Sequence, residues 1–261
     1  MGFDSKDLPP PYEAETQGSP KDILDPATFV LTGRSVVSDT TPNTPIYQMN
    51  WSVTSIPQKG SSVIFERVED DLPLEAKNVT SIEQLGSRQI FYLAHPAGAQ
   101  YQTDSPAYYL TSVTPESPGN ISLEASQSRF QKTEFKMLLS KGKTWLDKPL
   151  FNRSPELLFK AKPRWMGGCY TWSDSSGRQL AYEDDKGGQH KLLVTMPIAK
   201  DIRDALVATW CLRLWYETAE STQAKRDAME RLTPIEGIQG YNNMKMVKRI
   251  GALGSLGGAG A

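Results

Sequence analysis

One stretch of this chain decides its architecture: Asp204-Ala-Leu-Val-Ala-Thr-Trp-Cys-Leu-Arg-Leu-Trp215. It lies within residues 199–218, which we predict to form a helix. Asp201 and Asp204 fall in the first turn, where carboxylates favour the positive end of the helix dipole. Apolar side chains cover nearly every side of this helix, and a helix of that kind is buried on all sides. Such a helix fits inside a closed sheet and is hard to place on a flat one.

Strand patterns dominate the residues before this helix. Residues 46–53 alternate apolar and polar side chains with a period of two, and residues 28–37 form a β-branched run that predicts one strand. Similar runs lie at residues 62–68, 89–93, 107–113, 135–139, 157–161, 169–172, 179–182 and 191–196. Ser175-Ser-Gly177 separates two of them as a hairpin turn. Roughly nine or ten strands at this spacing are typical of a barrel or a sandwich.

The strands and the apolar helix together predict the fold class. We expect a mainly β protein, a closed antiparallel β-barrel around a central hydrophobic C-terminal helix, with disordered tails. The barrel domain occupies residues 25–220. Because the barrel would enclose the helix, we expect three of its side chains to be fully buried: Leu206, Trp210 and Leu214.

Two segments of different composition flank the barrel domain. Residues 1–24 are acidic and contain prolines, and they bury too little apolar surface to offset the entropy of ordering, so we expect a disordered tail. Residues 221–261 begin as a polar helix extension and end in a Gly-rich flexible tail. The chain shows no apolar signal segment and no apolar stretch long enough to span a bilayer. We therefore expect a cytoplasmic protein that can lie at the periphery of membranes.

The sequence contains no catalytic constellation, so we expect a non-enzymatic protein. The two cysteines, Cys169 and Cys211, and the two histidines, His95 and His190, are too few and too scattered for a zinc site. No Gly-x-Ser-x-Gly elbow occurs. The acidic run at residues 183–185 is interpreted as a charged hairpin tip, because it lacks the spaced ligands of a cation loop. We expect no catalytic residue, no metal and no cofactor.

The sharpest local motif is Leu8-Pro9-Pro10-Pro11-Tyr12-Glu13 in the N-terminal tail. A Pro-rich segment is already extended as a polyproline II helix, so it loses little entropy when it docks on the aromatic groove of a WW domain. The tyrosine adds a flat amphipathic anchor. The motif therefore predicts binding to WW-domain proteins, Nedd4-like ubiquitin ligases among them. A chance match in a Pro-rich tail is the alternative.

The formal net charge of −1 argues against a nucleic-acid binder, but the charge is unevenly distributed. Residues 129–164 hold ten basic and three acidic residues, a net charge of +7. Lysines beside an exposed tryptophan, here Trp145, suit a loop that binds anionic lipid. The alternative places Trp145 in the core and the lysines on an edge strand, where they block edge pairing. The candidate lipid contacts are Lys132, Lys136, Lys141, Lys143 and Lys148.

The order of a β-meander and an enclosed apolar helix resembles the tubby C-terminal-like family, which includes the LURP-one-related and phospholipid-scramblase-like proteins. Phe29-Val-Leu-Thr-Gly-Arg-Ser-Val-Val-Ser-Asp39 is similar to the family's opening strand and turn, and Pro45-Ile-Tyr-Gln-Met49 to its second strand. Residues 176–181 and 204–215 are similar to its last hairpin and core helix. The resemblance covers residues 26–218. It implies a barrel around a central helix and, in some members, phosphoinositide binding through basic residues outside the barrel.

The sequence therefore predicts a non-enzymatic intracellular adaptor or membrane-surface binding protein. Phosphoinositides are its candidate ligands, and its tail carries a ligand for WW domains. Two alternatives stay open, a barrel that holds a small apolar ligand and a scramblase-like lipid protein. The expected partners are WW-domain proteins and an anionic membrane surface, without nucleic acid, and we expect a monomer.

Overall fold

The computed structural model describes residues 23–55, 62–69, 86–96, 106–128, 131–164 and 169–221. These ranges contain fourteen β-strands, one α-helix and a short 3-10 turn. Apart from residues 23, 24 and 221, the tails predicted at residues 1–24 and 221–261 lie outside the described residues.

Twelve strands form one antiparallel sheet that closes into a barrel. They are β2 (Thr28–Thr32), β3 (Ser35–Ser38), β4 (Pro45–Met49), β5 (Ser62–Val68), β6 (Ser87–Ala94), β7 (Tyr108–Ser112), β8 (Gly119–Ser128), β9 (Gln131–Lys141), β10 (Glu156–Pro163), β11 (Tyr170–Asp174), β12 (Gln179–Asp184) and β13 (Lys191–Val194). Consecutive strands are neighbours, and β13 pairs with β2 to close the ring. The predicted fold class is confirmed.

The α-helix, α1 (Lys200–Glu220), fills the barrel. Every residue from 204 to 215 is buried, which leaves no solvent-facing side over about three turns. The hydrophobic core around the helix takes side chains from all twelve barrel strands. Leu206 and Trp210 are 0% exposed and Leu214 is 2% exposed, as the sequence predicts. A helix enclosed on all sides can be apolar on every face without exposing that surface to water.

Two regions differ from the strands that the sequence predicts. Residues 28–37 form a hairpin of β2 and β3, not one strand, because the chain turns at Gly33. Gly33 has a φ of 59°, a left-handed conformation that other residues adopt rarely. β8 has no predicted counterpart, since only Ile121 and Leu123 contribute its core side chains and the residues around them are small or polar.

The direction of α1 distinguishes an upper and a lower end of the barrel. At the upper end α1 begins, directly after β14 (Ile198–Ala199), which pairs with β1 (Ile23–Leu24). The turn between β7 and β8, residues 113–118, lies at the same end. At the lower end α1 finishes at Glu220. Among the residues that the structure describes, no helix combines the length and the apolarity needed to cross a bilayer.

Candidate functional site

The connection between β9 and β10, residues 142–155, carries two exposed apolar side chains. We call it the β9–β10 loop. Trp145 is 47% exposed and its neighbour Leu146 is 70% exposed. Adjacent exposed apolar side chains mark surface that is suited to contact another apolar phase, such as a partner or a membrane.

Asn120 on β8 fixes the path of this loop. It is fully buried, and its Nδ2 donates to the carbonyl oxygens of Thr144 at 3.0 Å and Leu150 at 2.8 Å. Its Oδ1 accepts from the backbone N–H of Ser112 at 2.8 Å. The backbone N–H of Trp145 donates to the carbonyl oxygen of Ser112 at 2.9 Å. One buried amide thus ties the loop to the end of β7 and the start of β8.

Two aromatic contacts hold the β9–β10 loop against the outer wall of the barrel. The ring of Trp145 lies edge-on to Tyr92 of β6, with 6.1 Å between the centroids. Phe151 packs edge-on against Tyr109 of β7 at 5.4 Å. Edge-to-face packing is a favourable geometry for aromatic pairs. Trp145 is therefore fixed in position while about half of its surface stays in solvent.

Polar contacts within the β9–β10 loop determine which of its charged side chains are paired. The Oδ2 of Asp147 accepts from the backbone N–H of Thr144 at 2.7 Å and from its hydroxyl at 2.9 Å. These hydrogen bonds hold the pKa of Asp147 below its usual range, so the carboxylate stays ionised at neutral pH. The Nζ of Lys143 lies 3.9 Å from Asp147 Oδ1. Lys141 and Lys148 are exposed and form no ion pair with any other described residue.

The structure divides the five candidate lysines. Three of them lie in or beside the β9–β10 loop: Lys141, Lys143 and Lys148. Lys136 is exposed on the outer wall, between Glu124 of β8 and Lys160 of β10. It precedes the end of β9 by five residues, about 16 Å along the strand. Lys132 lies near the start of β9. The predicted lipid contact is therefore concentrated at the loop.

The alternative interpretation of these lysines is wrong. It places Trp145 in the core, but that residue is half exposed. It also needs β9 to be an edge strand, whereas β9 pairs with β8 on one side and with β10 on the other. A closed barrel has no edge for lysines to protect.

A cavity of about 580 Å³ lies at the upper end, between the start of α1 and the turn after β7. A volume of this size is typical of small-molecule sites. The β9–β10 loop lies beside this turn. The backbone N–H of Trp145 donates to the carbonyl oxygen of Ser112, and Ser112 is the last residue of β7 before the turn. Charged side chains of both signs line the cavity: Arg67, Arg88, Lys200, Glu116, Asp201 and Asp204.

The deepest of these charged groups is Asp204, which is 3% exposed. Its Oδ1 accepts from the hydroxyl of Tyr47 at 2.7 Å, and its Oδ2 forms an ion pair with Arg67. Arg67 also pairs with Glu69 at 3.0 Å. Burial raises the pKa of Asp204, an effect that Arg67 and Tyr47 oppose. The helix start thus enters the barrel with a buried carboxylate that is held by β4 and β5.

A second buried ion pair joins α1 to the wall toward the lower end. Arg213 and Glu183 of β12 are each 1% exposed and pair directly. The Nε1 of Trp172 donates to Glu183 at 2.7 Å, and the guanidinium of Arg213 lies 4.3 Å from the centroid of the Tyr170 ring. Burial raises the pKa of Glu183 to about 7, while Arg213 and Trp172 oppose that shift.

The sequence did not reveal this pair. It predicts a hairpin tip at residues 183–185, which is wrong for Glu183, because β12 continues to Asp184 and Glu183 is buried like Ala181 two positions before it. The available signal is Arg213, since a cation in a helix that is buried on all sides needs a buried partner. Nothing in the local sequence shows which carboxylate that partner is.

Comparison with known proteins finds no matching family model, no matching curated protein and no matching solved structure. The WW-ligand motif at Pro9, Pro10, Pro11 and Tyr12 lies outside the described residues. The tubby-like resemblance and the WW-domain ligand therefore stay predictions.

Proposed function

We propose that this protein is a non-enzymatic adaptor at the cytoplasmic surface of membranes. Its barrel docks on anionic bilayers through the β9–β10 loop, and its N-terminal motif recruits WW-domain proteins. The observation that carries the proposal is the pair Trp145 and Leu146, exposed side by side on a loop that a buried amide holds in place. Lys141 and Lys143 precede that pair in the chain, and Lys148 follows it.

The chemistry of the loop matches the boundary layer of a bilayer. Tryptophan favours the depth of the headgroups, where its ring is apolar and its N–H stays wet, and leucine favours the acyl region below. Each lysine close to an anionic surface contributes about 1 kcal/mol. Because the loop is already fixed by Asn120, little entropy is lost on docking.

Two considerations favour this function over its alternatives. α1 fills the barrel interior, which argues against a lumen for a small apolar ligand. A closed barrel around a helix is also the architecture that the tubby-like resemblance implies. The same resemblance favours phosphoinositides as one class of anionic lipid for the loop. The WW-domain ligand gives the docked protein a second partner on the cytoplasmic side.

A bridging sedimentation assay tests the two contacts together. Full-length protein is mixed with a WW domain of a Nedd4-like ligase and vesicles of phosphatidylcholine with phosphatidylserine, with or without a phosphoinositide. We expect the wild type to carry the WW domain into the pellet. Tyr12→Ala should pellet without the WW domain. The double variant Lys141→Glu, Lys148→Glu should bind vesicles about tenfold more weakly or worse and carry little WW domain with it.

The matched control reverses two exposed charges at the other end of β10, Lys162→Glu with Arg164→Glu. It should sediment like the wild type, because those residues lie toward the lower end. An equal loss of vesicle binding in both double variants would mean that the total charge of the protein, not the β9–β10 loop, drives binding. A wild type that stays in the supernatant at low salt overturns the membrane role. A WW domain that stays unbound overturns the recruiting role.

A further inference from the structure

The cavity at the upper end has a charge pattern that the membrane role does not use. Among the described residues that line it, three are cationic and three are acidic, so the formal charges sum to zero. Such a lining attracts a simple anion or a simple cation only weakly, because each meets repulsion as well as attraction. It is complementary to a ligand that carries both charges.

Most of these charges already have protein partners. Arg88 pairs with Glu116 at 2.5 Å, and Arg67 pairs with Asp204. Lys200 and Asp201, the first two residues of α1, form no ion pair with any other described residue. One cation and one carboxylate are thus left for a ligand, adjacent in the chain at the wall of the cavity.

Unused donors are found on the cationic side. The N-cap of α1 is Ala199, whose side chain cannot accept from the first N–H groups of the helix. Together with Lys200, these groups offer several donors to one anionic group, and a phosphate has the oxygens to accept them.

We propose that this cavity binds a small zwitterion that carries a phosphate ester and a primary ammonium group, as glycerophosphoethanolamine does. The phosphate lies against Lys200 and the start of α1. The ammonium donates to Asp201. The ligand then neutralises the two charges that the protein leaves unpaired.

The lining also predicts which ammonium group binds. A primary ammonium donates hydrogen bonds to carboxylates, whereas a quaternary ammonium is held by a cage of aromatic rings. None of the described residues that line this cavity is aromatic. The cavity should therefore prefer ethanolamine phosphates to choline phosphates. A free metabolite and a membrane lipid carry the same headgroup, so both are sources of this ligand.

Isothermal titration of the full-length protein with soluble compounds tests the proposal. Glycerophosphoethanolamine should bind at least about tenfold more tightly than either glycerophosphocholine or glycerol phosphate. Lys200→Gln should weaken its binding about tenfold or more. Asp201→Asn should weaken the binding of glycerophosphoethanolamine but strengthen the binding of glycerol phosphate. A purely structural role of Asp201 would not produce these opposite changes. Lys162→Gln changes an exposed lysine outside both the cavity and the β9–β10 loop, and it should change the affinity for neither compound.

Two results would overturn the assignment. Equal or tighter binding of glycerol phosphate would make the cavity a simple anion site, and no heat with any compound at ~1 mM would leave no zwitterion site. Sedimentation with phosphatidylcholine vesicles, with and without phosphatidylethanolamine, then separates the two sources of the ligand. More protein in the pellet when phosphatidylethanolamine is present indicates the membrane lipid. Binding of glycerophosphoethanolamine in the titration, without more protein in the pellet, indicates the free compound. The loop variant Lys141→Glu, Lys148→Glu should keep its affinity for glycerophosphoethanolamine, so this site and the docking loop can fail separately.

Discussion

Helix α1 carries one buried charge toward each end of the barrel, and the surroundings of the two charges differ. Asp204 near the upper end is held by Arg67 and Tyr47, but it lines a cavity of about 580 Å³. Arg213, nine residues and about 13 Å further along the helix, is held by Glu183 where both side chains are 1% exposed. The first pair borders space that a ligand or water can enter, whereas both side chains of the second pair are withdrawn from solvent.

The difference separates a structural role from a functional one. Arg213 has a hydrogen-bonded carboxylate, a stacked Tyr170 ring and an ion pair with Glu217 at 2.5 Å. A sealed pair of this kind adds little net stability over apolar packing, but it strongly disfavours any position of the helix that separates the two charges. We infer that Arg213 fixes the register of α1 in the barrel. The helix start at the upper end is then held in place for binding.

The largest expected effect follows removal of the sealed pair. Arg213→Ala leaves Glu183 buried without its cation, which should lower the free energy of unfolding by about 3–5 kcal/mol in urea denaturation. Replacing both residues by apolar ones, Arg213→Met with Glu183→Leu, should restore most of the loss. A loss below about 1 kcal/mol in the single variant would mean that the pair is not sealed from water.

The pH dependence of this variant checks the same point. The pKa of Glu183 is raised in the folded protein, so folding takes up a proton at pH values between its unfolded and folded pKa. Without Arg213 that pKa rises further. Arg213→Ala should therefore lower the free energy of unfolding less at pH 5 than at pH 8. At each pH the variant is compared with the wild type at the same pH. A loss that is independent of pH would assign the effect to the missing side-chain packing alone.

A smaller effect is expected at the upper end. Arg67→Ala also removes the cation beside a buried carboxylate, but Asp204 keeps the hydroxyl of Tyr47 and gains water from the cavity. The free energy of unfolding should fall by about 1–3 kcal/mol, less than for Arg213→Ala. Urea denaturation of both variants under one condition decides the order. If Arg67→Ala costs as much as Arg213→Ala, the upper end is as closed as the lower one and the contrast between them fails.

The sequence predicts the barrel and its helix because both follow from local patterns, period-two strands and a helix without a polar face. It does not predict the cavity, since Arg67 and Asp204 are 137 residues apart and meet only through the closure of the barrel. Trp145 shows the same limit. Its exposure depends on the hydrogen bonds of Asn120 to Thr144 and Leu150, which the residues around Trp145 do not encode.

Two tryptophans allow the most direct test of the membrane role. Trp145 at the upper end is 47% exposed and Trp51 is 50% exposed. Trp51 follows β4 and shares a crevice with Trp215 near the end of α1, so it marks the lower end. Their exposure is nearly equal, but they lie at opposite ends of the barrel.

The measurement is quenching of tryptophan fluorescence by anionic vesicles with brominated acyl chains. We expect quenching of the wild type, quenching of Trp51→Phe to the same extent, and loss of most of the quenching in Trp145→Phe, because only the upper end enters the bilayer. Thermal unfolding of both variants near the wild-type midpoint serves as the control. Quenching that survives Trp145→Phe and disappears with Trp51→Phe would place the lower end on the membrane and contradict docking through the β9–β10 loop.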